Sequence, residues 1–463
     1  MRQSNRRHAL AACAAAVATL VLPGLVSAAP ADRAGGSWRL GDDFLWGVAA
    51  SGFQSEGSAP DSNWTRYIES GAVDEYQNSV RFLDFYEDDI KHAAALGVKV
   101  FRMSIEWARV QPEPGPDGWD EQAFVKYDKM IRRIHAYGMT PMITLDHWVY
   151  PGWAADRGGW LDPAMVEDWL TNARKVVNRF ATYDPIWVTI NEPLAYVGAE
   201  RRIGAITSNE EADLMVDRLA QAHNDIYDTI HNNQPDALVT SNVGFVSGKE
   251  AEVNHGFVDK VRDKLDFVGV DYYFGPDDQT AATGTSAGAP QMWELPQQTE
   301  GIYYALRHYH EYLGGKPIYV VESGMPTDNG TDGPCRKRNE PPIEATGDQP
   351  YCRADHLRDT LYWIQRAKAD GMNVMGYNYW SLTDNYEWGS YAPRFGLYTV
   401  NVESDPTLTR TPTGAVDAYV SLIQNGGVAS DYIPTRLPTE CSQVDPPASC
   451  DRPVTVDPRA TGS

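Results

Sequence analysis

Short runs of almost continuous apolar residues alternate along the chain with longer segments in which apolar positions recur with helical spacing. The apolar runs are Phe44–Ala50, Val98–Ile105, Thr140–Leu145, Ile186–Ile190, Leu238–Val243, Phe267–Tyr272, Ile318–Val321 and Val374–Trp380. Apolarity without alternation is what parallel strands need when both faces of the sheet are covered. The helical segments between them include Asp88–Leu96, Glu121–Tyr137, Pro163–Phe180, Glu211–Asn232 and Arg353–Ala369. Asp162 before Pro163 reads as an N-cap with proline in the first turn. Gly138 and Gly371 stand where helices should stop. Eight strand–helix units predict an α/β fold, a single (β/α)8 TIM barrel with its active site at the C-terminal ends of the strands. A doubly wound open sheet is the rival, but no GxGxxG follows any strand.

Composition narrows the picture. The chain has 463 residues, 42% hydrophobic and 22% charged, without an internal repeat, which suits one large barrel over residues 29–425. Residues 426–463 read as a Pro-rich C-terminal tail, extended or disordered from Pro434 onward. The formal charge of −23 argues against nucleic acid or an anionic membrane as partner. Arg2, Arg6 and Arg7, then apolar Ala9–Val26, then Val26-Ser27-Ala28 form a secretory signal peptide, residues 1–28. Its removal deletes three arginines and no acid, taking the charge from −23 to −26. No other stretch approaches the ~18 apolar residues of a membrane span. The expectation is a secreted protein with no membrane partner.

Cys13 leaves with the signal, and Cys335, Cys352, Cys441 and Cys450 remain. An even number in an exported chain favours disulfides, with three connectivities open. Local pairing, Cys335 with Cys352 and Cys441 with Cys450, is preferred because each pair brackets a Pro-rich loop. No CxxC or HxxxH spacing supports a metal site, and neither metal nor cofactor is expected.

The candidate chemistry lies in two glutamates, Glu192 and Glu322, at the ends of the predicted fourth and seventh strands. A barrel brings such ends to one mouth. Two carboxyls facing each other across a glycosidic bond can divide the work, one protonating the leaving oxygen and the other attacking the anomeric carbon. A gap near ~5–5.5 Å means retention and a wider one inversion. A glutamate at a strand end can equally well be a structural partner of an arginine.

The surrounding segments resemble family 1 glycoside hydrolases, the β-glucosidase-like enzymes. Thr189-Ile190-Asn191-Glu192-Pro193 is similar to the family's Thr-x-Asn-Glu-Pro. Ile318-Tyr319-Val320-Val321-Glu322-Ser323-Gly324 is similar to its Ile-Thr-Glu-Asn-Gly segment. Phe44 to Gly57 resembles the N-terminal signature, and Tyr379 to Trp388 with Arg394-Phe395-Gly396-Leu397 resembles the segment after the eighth strand. The resemblance implies that Glu192 is the acid/base and Glu322 the nucleophile. It implies that Arg102 holds the nucleophile ionised, that Gln54, His147 and Asn191 bind sugar hydroxyls, and that Tyr273 bonds the nucleophile. His147 and Trp148 stand together in Thr144-Leu145-Asp146-His147-Trp148. Glu387 and Trp388 would grip the outer hydroxyls over the Trp380 floor, since aromatic faces suit the C–H surface of a pyranose. Glu387, with no lysine in the loop after it, favours a neutral β-linked glycoside substrate.

The departures are specific. The family's Asn-Tyr-Tyr appears as Asp271-Tyr272-Tyr273, placing an extra acid beside the candidate nucleophile. Val321 and Ser323 replace Thr and Asn, and Val149 replaces an Asp. The function implied is a retaining exo-β-glycosidase acting on β-glucosides or related glycosides through a covalent intermediate. The alternatives are a transglycosylase, a disaccharide-releasing glycosidase, or a catalytically dead sugar-binding barrel.

Overall fold

The computed structural model describes residues 39–273, 291–295, 297–328, 330 and 351–436. The expected signal peptide and Cys335, Cys441 and Cys450 lie outside the described residues. The strands are β1 (Leu45–Ala49), β2 (Val100–Ser104), β3 (Thr140–Asp146), β4 (Ile186–Ile190), β5 (Val239–Thr240), β6 (Val243–Gly244), β7 (Val268–Asp271), β8 (Ile318–Ser323) and β9 (Val374–Trp380). All pair in parallel in the order β5-β4-β3-β2-β1-β9-β8-β7-β6.

Leu238–Val243, expected as one strand, is split into β5 and β6. β5 pairs with β4 and β6 pairs with β7, so this segment joins the two ends of the sheet and closes the TIM barrel. The break falls at Ser241-Asn242, whose polar side chains are bonded elsewhere: Ser241 Oγ donates to the Ile190 carbonyl at 2.7 Å. The Asn242 carbonyl accepts from Glu192 N–H at 3.0 Å, tying the closure to the candidate site.

Helices α1 (Phe82–Leu96), α2 (Glu121–Ala136), α3 (Met165–Phe180), α4 (Asn209–Asn233), α5 (His255–Val261), α6 (Gly301–Tyr312), α7 (Arg353–Ala369) and α8 (Gly414–Asn425) follow the successive barrel strands. α1 starts six residues before the expected Asp88, because Phe82, Tyr86, Ile90 and Ala93 continue one buried stripe. Asp162-Pro163 forms the turn ahead of α3 rather than its first turn; Asp162 Oδ1 accepts from Ala164 N–H at 3.0 Å. Inside the barrel, Val100, Met142, Ile186, Val188, Phe267, Tyr319 and Val321 form an apolar cluster. Val100 shares its strand face with Arg102 two residues on, so apolar packing gives way to polar chemistry along β2. No helix among the described residues is long and apolar enough to cross a membrane.

The packed part of the chain runs past residue 425. Asp359 of α7 is buried and accepts hydrogen bonds from Thr435 N–H (2.7 Å), Arg436 N–H (3.1 Å), Tyr432 OH (2.5 Å) and Tyr351 OH (3.0 Å). Residues 426–436 therefore belong to the barrel's outer layer. Asp359→Ala strands four donors and should cost about 2–4 kcal/mol of stability. Denaturant unfolding with limited trypsin digestion at Arg436 checks this; unchanged stability and cleavage would refute the anchoring role.

Candidate active site

Arg102 projects from β2 and is fully buried. Its guanidinium Nη1 donates to Glu322 Oε1, Nη2 to Asn191 Oδ1 at 2.6 Å, and Nε to Thr144 Oγ1 at 3.0 Å. Glu322 is 5% exposed in its side chain. Its other oxygen accepts from Tyr273 OH at 2.7 Å. A guanidinium on one oxygen and a hydroxyl on the other are the partners of an ionised carboxylate. The chain reaches this geometry through irregularity: the register of β8 shifts against both β7 and β9 around Glu322. Such bulges re-aim side chains at the rims of barrels.

Glu192 follows β4 with φ +40°, heading a short helix, Pro193–Arg202. A left-handed φ is costly for a residue with a Cβ, and the following proline, pre-set for the first helical position, fixes where the helix starts. The carboxyl lies over Gly244, where a Cβ would overlap Glu192 Oε1. Burial and then the negative charge of Glu322 push its pKa up to about 8, against the pull of Arg102. The two glutamates thus differ in kind. Glu322 is paired with a cation, while Glu192 keeps a proton near neutral pH.

The sugar-facing candidates gather around them. Gln54 Nε2 donates to Glu387 Oε2 at 3.2 Å and to Asn385 Oδ1 at 3.1 Å. Burial raises the Glu387 pKa to about 8, with Glu322 adding to the shift. His147 stacks on Trp380 at 6.0 Å between centroids and on Trp388 at 5.9 Å. Trp148 stacks on Trp388 at 4.7 Å, and its Nε1 donates to the Asn191 carbonyl at 2.8 Å. Burial, then Arg102, hold the His147 pKa well below its ordinary value, so the ring is neutral. Its buried Nδ1 has no hydrogen-bond partner among the described residues. All eleven site residues named from the sequence, Cys positions aside, lie in this one assembly or in direct contact with it.

Several contributors were not anticipated. Asn242 Nδ2 donates to Asn191 Oδ1 at 2.8 Å and also to Asp271 Oδ2. Its signal was the polar interruption in an apolar run. Asp146 holds the Trp148 main chain directly, and Glu200 does so through Asn63. Asp146 Oδ1 accepts from Trp148 N–H at 2.9 Å; Asn63 Nδ2 donates to the Trp148 carbonyl at 3.0 Å and to Glu200 Oε1 at 3.1 Å. Tyr150 OH completes Glu200 at 2.8 Å. Asn63 stands in a glycan acceptor sequence, yet it is buried and used in this clamp. Among the described residues no group of His, Cys, Asp or Glu is placed to hold a metal.

Paired buried glutamates of unequal charge, at a barrel mouth beside an aromatic platform and a hydroxyl-binding acid, define a carbohydrate-cleaving barrel. The chain belongs to glycosyl hydrolase family 1, whose model matches residues 37–244 and 229–428. It is 25% identical over 456 residues to "Beta-glucosidase A" of Thermotoga maritima, covering 84% of this chain and 98% of that one. It is 26% identical over 392 residues to "Galactolipid galactosyltransferase SFR2, chloroplastic" of Arabidopsis thaliana, covering 76% of this chain but 59% of that longer protein. Its fold is similar to that of a beta-glycosidase from Pyrococcus horikoshii, with TM-score 0.70, 25% identity, and coverage of 84% of this chain and 96% of that one. Family membership makes it a β-glucosidase-like hydrolase of β-glycosides.

Burial pushes the pKa values of Asp146 and Glu200 each up to about 7. A carboxyl whose folded pKa is raised binds more protons folded than unfolded, so its contribution to stability falls as pH rises toward the folded value. Glu200→Gln removes one such group. Its thermal midpoint relative to wild type should rise as pH increases from about 5 to about 8. Thermal scans across that range test this, and a pH-independent difference would show that Glu200 does not carry the proton.

Proposed function

We propose that the protein is a retaining exo-β-glycosidase acting on neutral β-glucosides or closely related glycosides. Glu322 is the nucleophile and Glu192 the acid/base. The observation that carries this reading is the asymmetry of the two carboxyls: Arg102 and Tyr273 hold Glu322, while burial keeps a proton on Glu192. In the first step Glu322 attacks the anomeric carbon and Glu192 gives its proton to the leaving oxygen. In the second, Glu192 takes a proton from water, which displaces Glu322. The pair Gln54–Glu387 offers donor and acceptor atoms to the hydroxyls of a neutral sugar.

Transfer to an alcohol instead of water is the second reading. It is favoured by the similarity to a protein named as a galactosyltransferase. Product analysis with an alcohol acceptor separates the two. We also propose export through the N-terminal signal and a Cys335–Cys352 link. The buried, disulfide-bonded state of Cys352 supports the latter.

Glu322→Gly should abolish turnover of an aryl β-glucoside and regain it with azide or formate; surviving activity without rescue would sink the assignment. Glu192→Gln should lower kcat by about 10²–10⁴-fold on substrates whose leaving group needs protonation, and far less on activated aryl glycosides. The wild-type alkaline limb should lie near the pKa of about 8 of Glu192, activity falling as that proton is lost. Equal losses on both substrate types would contradict the acid role.

A further inference from the structure

Asp271 stands between the two glutamates. On one side its register partner is Glu322 in β8; on the other it is Gly244 in β6, the residue over which the Glu192 carboxyl lies. The resemblance of Asp271-Tyr272-Tyr273 to the family's Asn-Tyr-Tyr leads one to expect an asparagine here, and this chain has Asp271. Asp271 is buried, its Oδ2 accepts from Asn242 Nδ2, and its Oδ1 has no hydrogen-bond partner among the described residues. Two buried carboxyl groups facing each other form a hydrogen bond only when one carries a proton.

We propose that Asp271 is a protonated positioning residue whose Oδ1–H donates to Glu192, supporting the Glu192 carboxylate that remains after proton transfer to the leaving group. The inference rests on the acid/base reading of Glu192.

The groups that face Asp271 make the neutral form the stable one. Glu322 from β8 and Glu192 beyond β4 are acids; Arg102 from β2 is the cation, and it is engaged by Glu322 and Asn191. Tyr273, two residues on, is directed to Glu322. Burial, then the charges of Glu322 and Glu192, push the Asp271 pKa well above its ordinary value. Glu322 is paired with Arg102, and Glu192 and Asp271 each carry a proton. When Glu192 protonates the glycosidic oxygen, its carboxylate accepts the Asp271 proton as a hydrogen bond. In the second step Glu192 recovers a proton from water, and Asp271 keeps its own throughout. An asparagine can serve the same geometry, its Oδ1 toward Asn242 and its Nδ2 toward Glu192.

The experiment compares pH profiles of kcat/KM for wild type, Asp271→Asn and Asp271→Ala on one aryl β-glucoside, with folding checked by circular dichroism. Asp271→Asn should keep activity within a few-fold. Asp271→Ala should lose about 10- to 100-fold, the worth of a hydrogen bond to a charged group, and its alkaline limb should move to higher pH because Glu192 loses a donor. Two outcomes overturn the proposal: an alkaline limb unmoved in a folded Asp271→Ala, or Asp271→Asn losing as much as Asp271→Ala. Azide acceleration of Glu192→Gly, measured alongside, tests the acid/base reading separately. Its absence would remove that reading whatever the Asp271 variants do.

Discussion

The ion pair of Arg102 and Glu322 organises the site. A guanidinium with no exposed surface needs its charge met inside the barrel, and breaking such a pair leaves an uncompensated charge, typically worth about 3–5 kcal/mol. Its three nitrogens reach three strands or strand ends, through Thr144, Asn191 and Glu322. The interaction that ionises one glutamate therefore also sets Asn191, the neighbour of the other. Charge and position are fixed by the same side chain.

The opposite requirement applies to Glu192, which must be buried without a cation of its own. The chain meets it by a left-handed residue before a proline and by leaving Gly244 without a side chain beneath the carboxyl. The break in the fifth strand serves the same end. Asn242 leaves the ladder and links Asn191 to Asp271, so the point where the barrel closes is also where the polar network crosses it. Around this centre the aromatic wall of His147, Trp148, Trp380 and Trp388 is held by the buried clamp on the Trp148 peptide.

The barrel was readable in the chain because doubly covered parallel strands must be apolar along their length, and β1 to β4 and β9 fall within a residue or two of the runs that predict them. The split of β5 and β6 was hidden: Ser241-Asn242 looks like a small lapse in an apolar run, and only the side-chain partners explain it. The early start of α1 was missed because Arg81 offers no side-chain cap to mark it. Among functional positions, Glu192 and Glu322 stood out by place and by motif. Asp146 and Glu200 did not, since each acts through the Trp148 peptide and carries no pattern of its own. Asp271 was visible as an anomaly, and its meaning depended on where Gly244 lets Glu192 lie.

The central claim is that the carboxylate paired with Arg102 forms the covalent bond to the sugar. The direct measurement is inactivation with a 2-deoxy-2-fluoro aryl β-glucoside followed by peptide mapping in the mass spectrometer. The account predicts a single fluoroglycosyl adduct on Glu322. An adduct on another residue, or turnover that releases the inverted anomer without any adduct, would contradict it.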